Sequence, residues 1–121
     1  MDSSSARARF LVSGALRIDT ESMSVSLGER ALHLTPTEFN LLKYLVTHAG
    51  RVLTHPMILR EVWGEEYAGD TAILRTYVNQ LRAKLGDDLE KPRFIRTEPR
   101  IGYRFLDSSP EPLAPSEAAA D

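Results

Sequence analysis

Residues 70–85 read DTAILRTYVNQLRAKL, and the spacing of their apolar side chains predicts an amphipathic helix. Apolar residues recur every three or four positions, which puts them on one face of a helix. Asp70 is a typical N-cap and Gly86 a typical helix end, so the helix is predicted over residues 71–85. Its buried stripe consists of Leu74, Val78, Leu81 and Leu85.

The opposite face of this helix is polar. At about 100° per residue, Asn79 and Thr76 lie opposite the leucines, and Gln80 stands at the edge of their face. Amide side chains can pair with adenine edges, while flanking arginines can reach phosphates or guanines. The pattern suits a DNA major groove, but an ordinary helix with a solvated charged face fits it equally well. Three basic residues flank the polar face: Arg75, Arg82 and Lys84.

The charge of the chain is unevenly distributed. The 121 residues carry a net charge of −2, which is unusual for a DNA-binding protein. Residues 71–104, however, hold eight basic and four acidic residues, whereas residues 105–121 hold four acidic residues and no basic one. Local charge determines phosphate contact, because screening at physiological salt acts over about 8 Å. The third helix and the residues after it are therefore basic where contact with DNA is expected.

Composition argues against several classes of protein. The chain has no cysteine, so it has neither disulfides nor thiolate metal ligands, and it fits a reducing, cytoplasmic compartment. No apolar run approaches the length of a membrane span, about 20 residues. The histidines His33, His48 and His55 lack metal-ligand spacing, and no glycine-rich phosphate loop follows a strand. We expect no cofactor, no metal and no enzymatic activity.

The first part of the chain alternates with the period of a β-strand. Residues 10–34 contain short alternating runs, such as Met23, Val25 and Leu27 separated by serines. Such runs predict a small antiparallel sheet with one buried face.

Two further helices are predicted before residue 70. A capping box at residues 35–38 starts the first helix, and Gly50 is its expected end. An extended link at residues 51–53 leads to a second helix over residues 55–63. The apolar stripes of these two helices consist of Phe39, Leu42, Leu45 and Val46 in the first and Ile58, Leu59 and Val62 in the second.

The end of the core sequence predicts a basic hairpin. Residues 94–98 and 102–106 form two strands around a turn at residues 99–101, and the hairpin carries Arg96, Arg100 and Arg104. Helices followed by such a hairpin are typical of a winged helix-turn-helix. In that fold the third helix reads the major groove and the hairpin, or wing, reaches an adjacent minor groove.

Residues 10–106 resemble the effector domains of OmpR/PhoB-family response regulators. The resemblance rests on motifs that occur in a fixed order: LTPTEF at 34–39, GRVLT at 50–54, LREVWG at 59–64, VNQLRAKL at 78–85, IRT at 95–97 and GYRF at 102–105. Within the family, the motifs are most similar to those of regulators of high-affinity potassium uptake.

The resemblance implies an α+β winged helix-turn-helix with an N-terminal four-stranded antiparallel sheet, a three-helix core and a C-terminal β-hairpin wing. It implies binding to direct-repeat DNA half-sites as a head-to-tail dimer. It also implies contact with RNA polymerase through the loop that holds Glu65, Glu66 and Tyr67, although a solvated acidic loop is an equal alternative. Family members carry an N-terminal receiver domain, for which this chain has no room, so we expect an isolated effector domain.

The candidate DNA contacts fall into three groups. The base-contact candidates are Thr76, Asn79 and Gln80; the backbone-contact candidates are Thr71, Arg75, Arg82, Lys84, Thr97 and Tyr103; the minor-groove candidates are Arg96, Arg100 and Arg104.

Several of these candidates have simpler alternatives. Arg75 can instead pair with Asp70 or Glu66, and Tyr103 can pack against the third helix, which we favour. Many relatives place glycine where Arg100 stands, so which wing arginine enters the groove stays open.

The sequence outside this region is simple. Residues 1–9 are predicted to be a linker or a cloning remnant, and residues 107–121 a disordered, acidic and proline-rich tail.

A winged helix can also serve as a protein-interaction module without DNA binding. The six basic residues of the third helix and the wing favour DNA over this alternative.

Overall fold

The chain folds in the predicted order of sheet, three helices and hairpin. The computed structural model describes residues 10–88 and 90–106, so the predictions for residues 1–9 and 107–121 lie outside the described residues. The strands are β1 (Phe10–Ser13), β2 (Leu16–Asp19), β3 (Ser24–Leu27), β4 (Arg30–Leu32), β5 (Val52–Thr54), β6 (Ile95–Glu98) and β7 (Gly102–Phe105). The helices are α1 (Pro36–Thr47), α2 (His55–Val62) and α3 (Thr71–Leu85), with a 3-10 turn at Glu65–Tyr67.

The N-terminal sheet is an antiparallel meander in the order β1-β2-β3-β4. Leu16, Ile18 and Val25 point from it into the core, as the alternating pattern predicts. The prediction for Met23 was wrong, because this residue is 49% exposed and has a φ of 58°. It lies in the turn between β2 and β3, where the Asp19 carboxylate accepts the N–H of Glu21 and bends the chain.

Helix α1 begins where the capping box predicts. Oγ1 of Thr35 accepts the N–H of Glu38 at 3.2 Å, and Oε1 of Glu38 accepts the N–H of Thr35 at 2.9 Å. The helix ends earlier than predicted, with His48 rather than Gly50 as its C-cap. Gly50 instead donates its N–H to Phe105 O at 2.8 Å, which joins the exit from α1 to the end of β7.

The extended link after α1 is a strand, β5, of a second sheet. This sheet has the order β5-β7-β6, so the wing hairpin pairs directly with the segment between α1 and α2. In the register of this pairing, Leu53 lies opposite Tyr103 and Thr54 opposite Gly102. A Cβ on Gly102 would stand 1.8 Å from Leu53 O, so only glycine permits this approach.

One hydrophobic core joins all these elements. The stripe of α3 is buried as predicted, with Leu74, Val78 and Leu81 fully inside. They pack with Leu59 of α2 and Phe105 of β7 in the same cluster of buried residues. Within the described part of the chain, the helices are too short or too polar to cross a membrane. The core therefore fixes which face of α3 is left at the surface.

Candidate nucleic-acid interface

Helix α3 has the caps and the bounds that the sequence predicts. Oδ1 of Asp70 accepts the N–H of Ile73 at 3.2 Å, and Gly86 ends the helix in the left-handed conformation with a φ of 70°. Since its apolar stripe is buried, its polar face must lie at the surface. Five of the candidate contact residues are exposed there: Thr71, Arg75, Thr76, Asn79 and Gln80.

The exposed side chains of α3 are largely free of partners within the described residues. Arg75 forms no ion pair with Asp70 or Glu66 there, so the predicted alternative of a salt bridge is absent. Thr76 donates its hydroxyl hydrogen to Ala72 O at 3.0 Å. The helix thus presents two amides and one unpaired guanidinium to solvent.

Arg82 is turned toward the protein and is only 8% exposed. Its Nη2 donates to Ile95 O at 3.1 Å and to Thr97 Oγ1 at 2.6 Å, and its guanidinium lies 5.7 Å from the ring centre of Tyr103. Its Nε is buried and has no hydrogen-bond partner in the described structure. These contacts join α3 to β6, so Arg82 also holds the helix against the wing, and its contact with a phosphate stays a prediction.

Lys84 is tied to the first helix. Its Nζ lies 2.6 Å from Oε1 of the buried Glu38 and donates to His33 O at 2.9 Å. Burial raises the pKa of Glu38, but the hydrogen bond from Lys84 and the N–H of Thr35 outweigh burial and lower this pKa below its ordinary value of 4.5. The Lys84 ammonium is therefore committed to a carboxylate, which sets it apart from the unpaired Arg75.

The three arginines of the wing differ in whether they contact a carboxylate among the described residues. Arg96 and Arg104 stand directly opposite each other on β6 and β7. Both contact Glu98, whose Oε2 lies 2.7 Å from Nη2 of Arg104 and 3.7 Å from Nε of Arg96. Arg100, at the tip, is exposed and has no ion pair among the described residues.

Arg100 also occupies an unusual backbone conformation. Its φ of 68° lies in the left-handed region, which costs a non-glycine residue about 1 kcal/mol. The turn closes with the N–H of Ile101 donating to Glu98 O at 3.0 Å. This conformation is one that glycine adopts without that cost. It also makes the arginine notable, because strained residues tend to occur at functional sites.

Tyr103 and Thr97 lie next to Arg82. Tyr103 is buried under the Arg82 guanidinium, and its ring meets the ring of His55 edge to face at 5.7 Å. This is the packing alternative that we favour from the sequence. Thr97 is exposed, and its Oγ1 accepts a hydrogen bond from Arg82. Its own hydroxyl hydrogen is therefore available to another acceptor.

The loop between α2 and α3 lies beside the start of α3. Glu65, Glu66 and Tyr67 form its 3-10 turn and are all exposed. Nε of Arg60 lies 3.0 Å from Oε1 of Glu65 at the surface, so the loop is partly tied to α2. Trp63 precedes the loop and packs edge to face against Tyr77 at 5.2 Å.

The sequence did not reveal the structural role of Asp87. Its carboxylate accepts the N–H of Arg93 at 2.7 Å and of Ile95 at 2.9 Å, and that of Phe94 at 3.3 Å. It therefore fixes the connection between α3 and the wing. An aspartate directly after a helix-ending glycine signals a turn, but the sequence does not show that this turn folds back onto residues six to eight positions later.

A three-helix unit whose last helix exposes amides beside a basic hairpin is a winged helix-turn-helix. Residues 28–105 match the family described as "Transcriptional regulatory protein, C terminal". The chain belongs to this family. The resemblance to the effector domains of OmpR/PhoB response regulators is thereby confirmed, as is the predicted α+β fold.

The curated relatives include regulators of the predicted subgroup. The KDP operon transcriptional regulatory protein KdpE of Escherichia coli is 43% identical over 89 residues, which are 74% of this chain and 40% of that protein. The KdpE protein of Mycobacterium tuberculosis is 42% identical over 95 residues, covering 73% of this chain and 42% of that protein. The chain thus spans about two fifths of the length of these relatives.

Solved structures share the fold across the described region. The RstA DNA-binding domain of Klebsiella pneumoniae, solved in complex with the RstA box, is 30% identical with a TM-score of 0.77, over 82% of this chain and 98% of that chain. The DNA-binding domain of CpxR from Escherichia coli is 27% identical with a TM-score of 0.72, over 83% of this chain and 98% of that chain.

Proposed function

We propose that this domain binds double-stranded DNA sequence-specifically, with α3 in the major groove and the wing in the adjacent minor groove. The observation that carries this proposal is the exposed amide face of α3, whose opposite face is fixed in the core. The similar RstA DNA-binding domain was solved in complex with the RstA box, which supports DNA as the ligand.

Asn79 and Gln80 are the proposed readers of base edges, together with Thr76. Each amide can both donate and accept, which matches the N7 acceptor and the exocyclic amine of adenine. The Thr76 hydroxyl is engaged with Ala72 O, which leaves its methyl group as the part suited to a thymine methyl.

The proposed phosphate contacts come from exposed groups around this face. Arg75 offers a guanidinium with no ion pair to any described residue, and Thr71 lies at the N-terminus of α3, where the helix dipole favours anions. Thr97 can donate its hydroxyl hydrogen to a phosphate, because Arg82 already occupies its oxygen as an acceptor. Arg100 is the proposed minor-groove residue, since it is exposed at the wing tip without a carboxylate partner among the described residues.

We further propose that the domain acts in a two-component transcriptional regulator, with a receiver domain elsewhere in the full protein. The similarity to KdpE regulators supports a potassium-uptake operon as the target. Binding to direct repeats as a head-to-tail dimer and contact of the Glu65–Tyr67 turn with RNA polymerase complete the proposal. The exposure of that turn beside the start of α3 supports the latter contact.

The test is selection of bound sites from random double-stranded DNA. We expect enrichment of a tandem repeat with half-sites about one helical turn apart. Affinity for the enriched site should fall by about one to two decades for a fourfold rise in salt, since few phosphates are contacted. Absence of enrichment, with weak and salt-insensitive binding, would favour the protein-interaction alternative.

Two variants test the amide readers directly. N79A and Q80A should each weaken binding to the enriched site by about tenfold or more, because a good base contact is worth about 1–3 kcal/mol. Binding to a scrambled duplex should change little. Asn40 is an exposed asparagine on α1, so N40A is the matched control and should bind both duplexes like the wild type.

A further inference from the structure

Glu98 is the one carboxylate of the described wing, and it lies between two arginines. Its Oε2 accepts from Nε of Arg104 at 3.1 Å and from Nη2 of Arg104 at 2.7 Å. The same oxygen lies 3.7 Å from Nε of Arg96. The Glu98 side chain is only 16% exposed, whereas that of Arg96 is open to solvent. One carboxylate therefore neutralises part of the charge of two cations.

The pairing follows from the register of the hairpin. Arg96 and Arg104 are opposite each other on adjacent strands, and like charges in such a pair repel. Glu98 stands two residues after Arg96 on the same strand, which places it on the same face of the hairpin. It relieves this repulsion, and it also competes with any phosphate for the two guanidiniums.

We infer that Glu98 limits the affinity of the wing for DNA of any sequence and so is a specificity-determining residue. Contacts between arginines and phosphates add affinity without reading sequence. Through its two hydrogen bonds to Arg104 and its proximity to Arg96, Glu98 leaves Arg100 as the free cation of the described wing. Binding then depends more strongly on the base contacts of α3. This inference rests on the proposed DNA binding.

The test compares E98Q with the wild type on the enriched site and on a scrambled duplex. The introduced glutamine keeps an oxygen that can accept from Arg104, so the variant removes the charge and preserves the shape. We expect affinity for the scrambled duplex to rise by about three- to tenfold at low salt. The slope of log affinity against log salt should steepen by about 1 to 2, one or two phosphate contacts being gained. The ratio of specific to non-specific affinity should fall.

E90Q is the matched control. Glu90 is an exposed glutamate of the connection between α3 and β6, and no ion pair joins it to the described wing. This variant changes the net charge by the same amount without releasing an arginine. Its effect on either duplex should stay below about twofold, since an exposed charge at a distance is screened.

Arginine variants test the same idea without altering Glu98. In the wild-type background, R104Q should change scrambled-duplex binding less than R100Q does, because two hydrogen bonds already hold Arg104 to Glu98. In the E98Q background, R104Q should remove most of the gain. Thermal unfolding of each variant verifies that it is folded, and the arginine series applies even if E98Q does not fold.

The inference is overturned if E98Q binds the scrambled duplex like E90Q or more weakly than the wild type. It is also overturned if R104Q weakens scrambled-duplex binding more than R100Q does. Failure of the proposed function has a different signature, because the wild type itself would then bind neither duplex.

Discussion

Helix α3 and the wing each carry three basic residues, but they hold them differently. On α3, Arg82 and Lys84 are bound to the body of the protein, and Arg75 has no ion pair among the described residues. On the wing, Arg96 and Arg104 share the carboxylate of Glu98, and Arg100 has no ion pair in the part of the chain that the structure describes. Each element thus offers a single unpaired cation within the described structure, so a count of basic residues overstates the contact with DNA.

Helix α3 and the wing differ in which parts of the protein their paired cations contact. Arg82 and Lys84 reach across to β6 and α1, so they fix the position of the helix. The paired wing arginines are held by a residue of their own hairpin, so that pairing can change without moving the helix. The helix is therefore built for a fixed reading geometry, while the charge of the wing is adjustable.

The pairing of the wing with β5 is tested at Gly102, where an alanine would add one methyl group. G102A places a Cβ 1.8 Å from Leu53 O and must push β7 away from β5. We expect a loss of about 3 kcal/mol in the free energy of unfolding, measured with urea. G69A is the control, because a Cβ there meets nothing within 4 Å, and it should be nearly neutral. Equal stabilities of the two variants would contradict the close approach.

The link between helix and wing is tested at Asp87. D87N removes the charge and replaces one of the oxygens that accept from Arg93, Phe94 and Ile95 with a donor. We expect a loss of about 2 kcal/mol, since hydrogen bonds to a charged group are involved. Amide exchange should quicken in β6 more than in α3. D88N, at a neighbouring position that makes none of these contacts, should leave both measurements near the wild type.

At the wing tip, replacing Arg100 should change stability and DNA binding in opposite directions. R100G relieves the left-handed strain and should raise the free energy of unfolding by about 1 kcal/mol. The same change should weaken DNA binding by about tenfold, because the proposed minor-groove cation is lost. Met23 is the other described non-glycine residue with positive φ, and M23G should gain stability without changing DNA binding. Parallel behaviour of the two variants would argue against a role of Arg100 in binding.

The smallest effect concerns the tie between α3 and α1. Glu38 has a lowered pKa in the folded protein, so its ionised form stabilises the fold above its ordinary value of 4.5 and this contribution is lost as pH falls below that value. E38Q should cost about 1 kcal/mol at neutral pH, and the difference from the wild type should shrink on acidification. E29Q, in the turn between β3 and β4, removes a carboxylate that has no ion pair with Lys84 and should cost less than E38Q at neutral pH. A gap for E38Q that is independent of pH would contradict the assignment.

The sequence predicts the helices well because their signals are local. The capping box at residues 35–38 and the stripe ending at Leu85 depend on neighbours within a few positions. Strand β5 was missed as a strand, because three residues carry no clear period and their partner, β7, lies far along the chain. The inward turn of Arg82 was missed for a similar reason, since its acceptors belong to β6.

The wing shows where local signals are present but insufficient. Glu98 is two residues from Arg96, yet only the register of β6 against β7 brings Arg104 to the same carboxylate. The positive φ of Arg100 is likewise a property of the turn that this register closes. Sequence alone therefore names the wing arginines without distinguishing the free one from the paired ones.

The close approach at Gly102 has a consequence for how binding proceeds. Because β5 lies between α1 and α2 and pairs with β7, the wing is part of the same framework as the helices. Both reading elements are thus preorganised before DNA arrives, and little conformational entropy remains to be lost on association. Calorimetry should show a smaller heat-capacity change than the coupled folding of a disordered arm produces. Association should accordingly be a rigid docking event, in which the DNA is the partner that adapts.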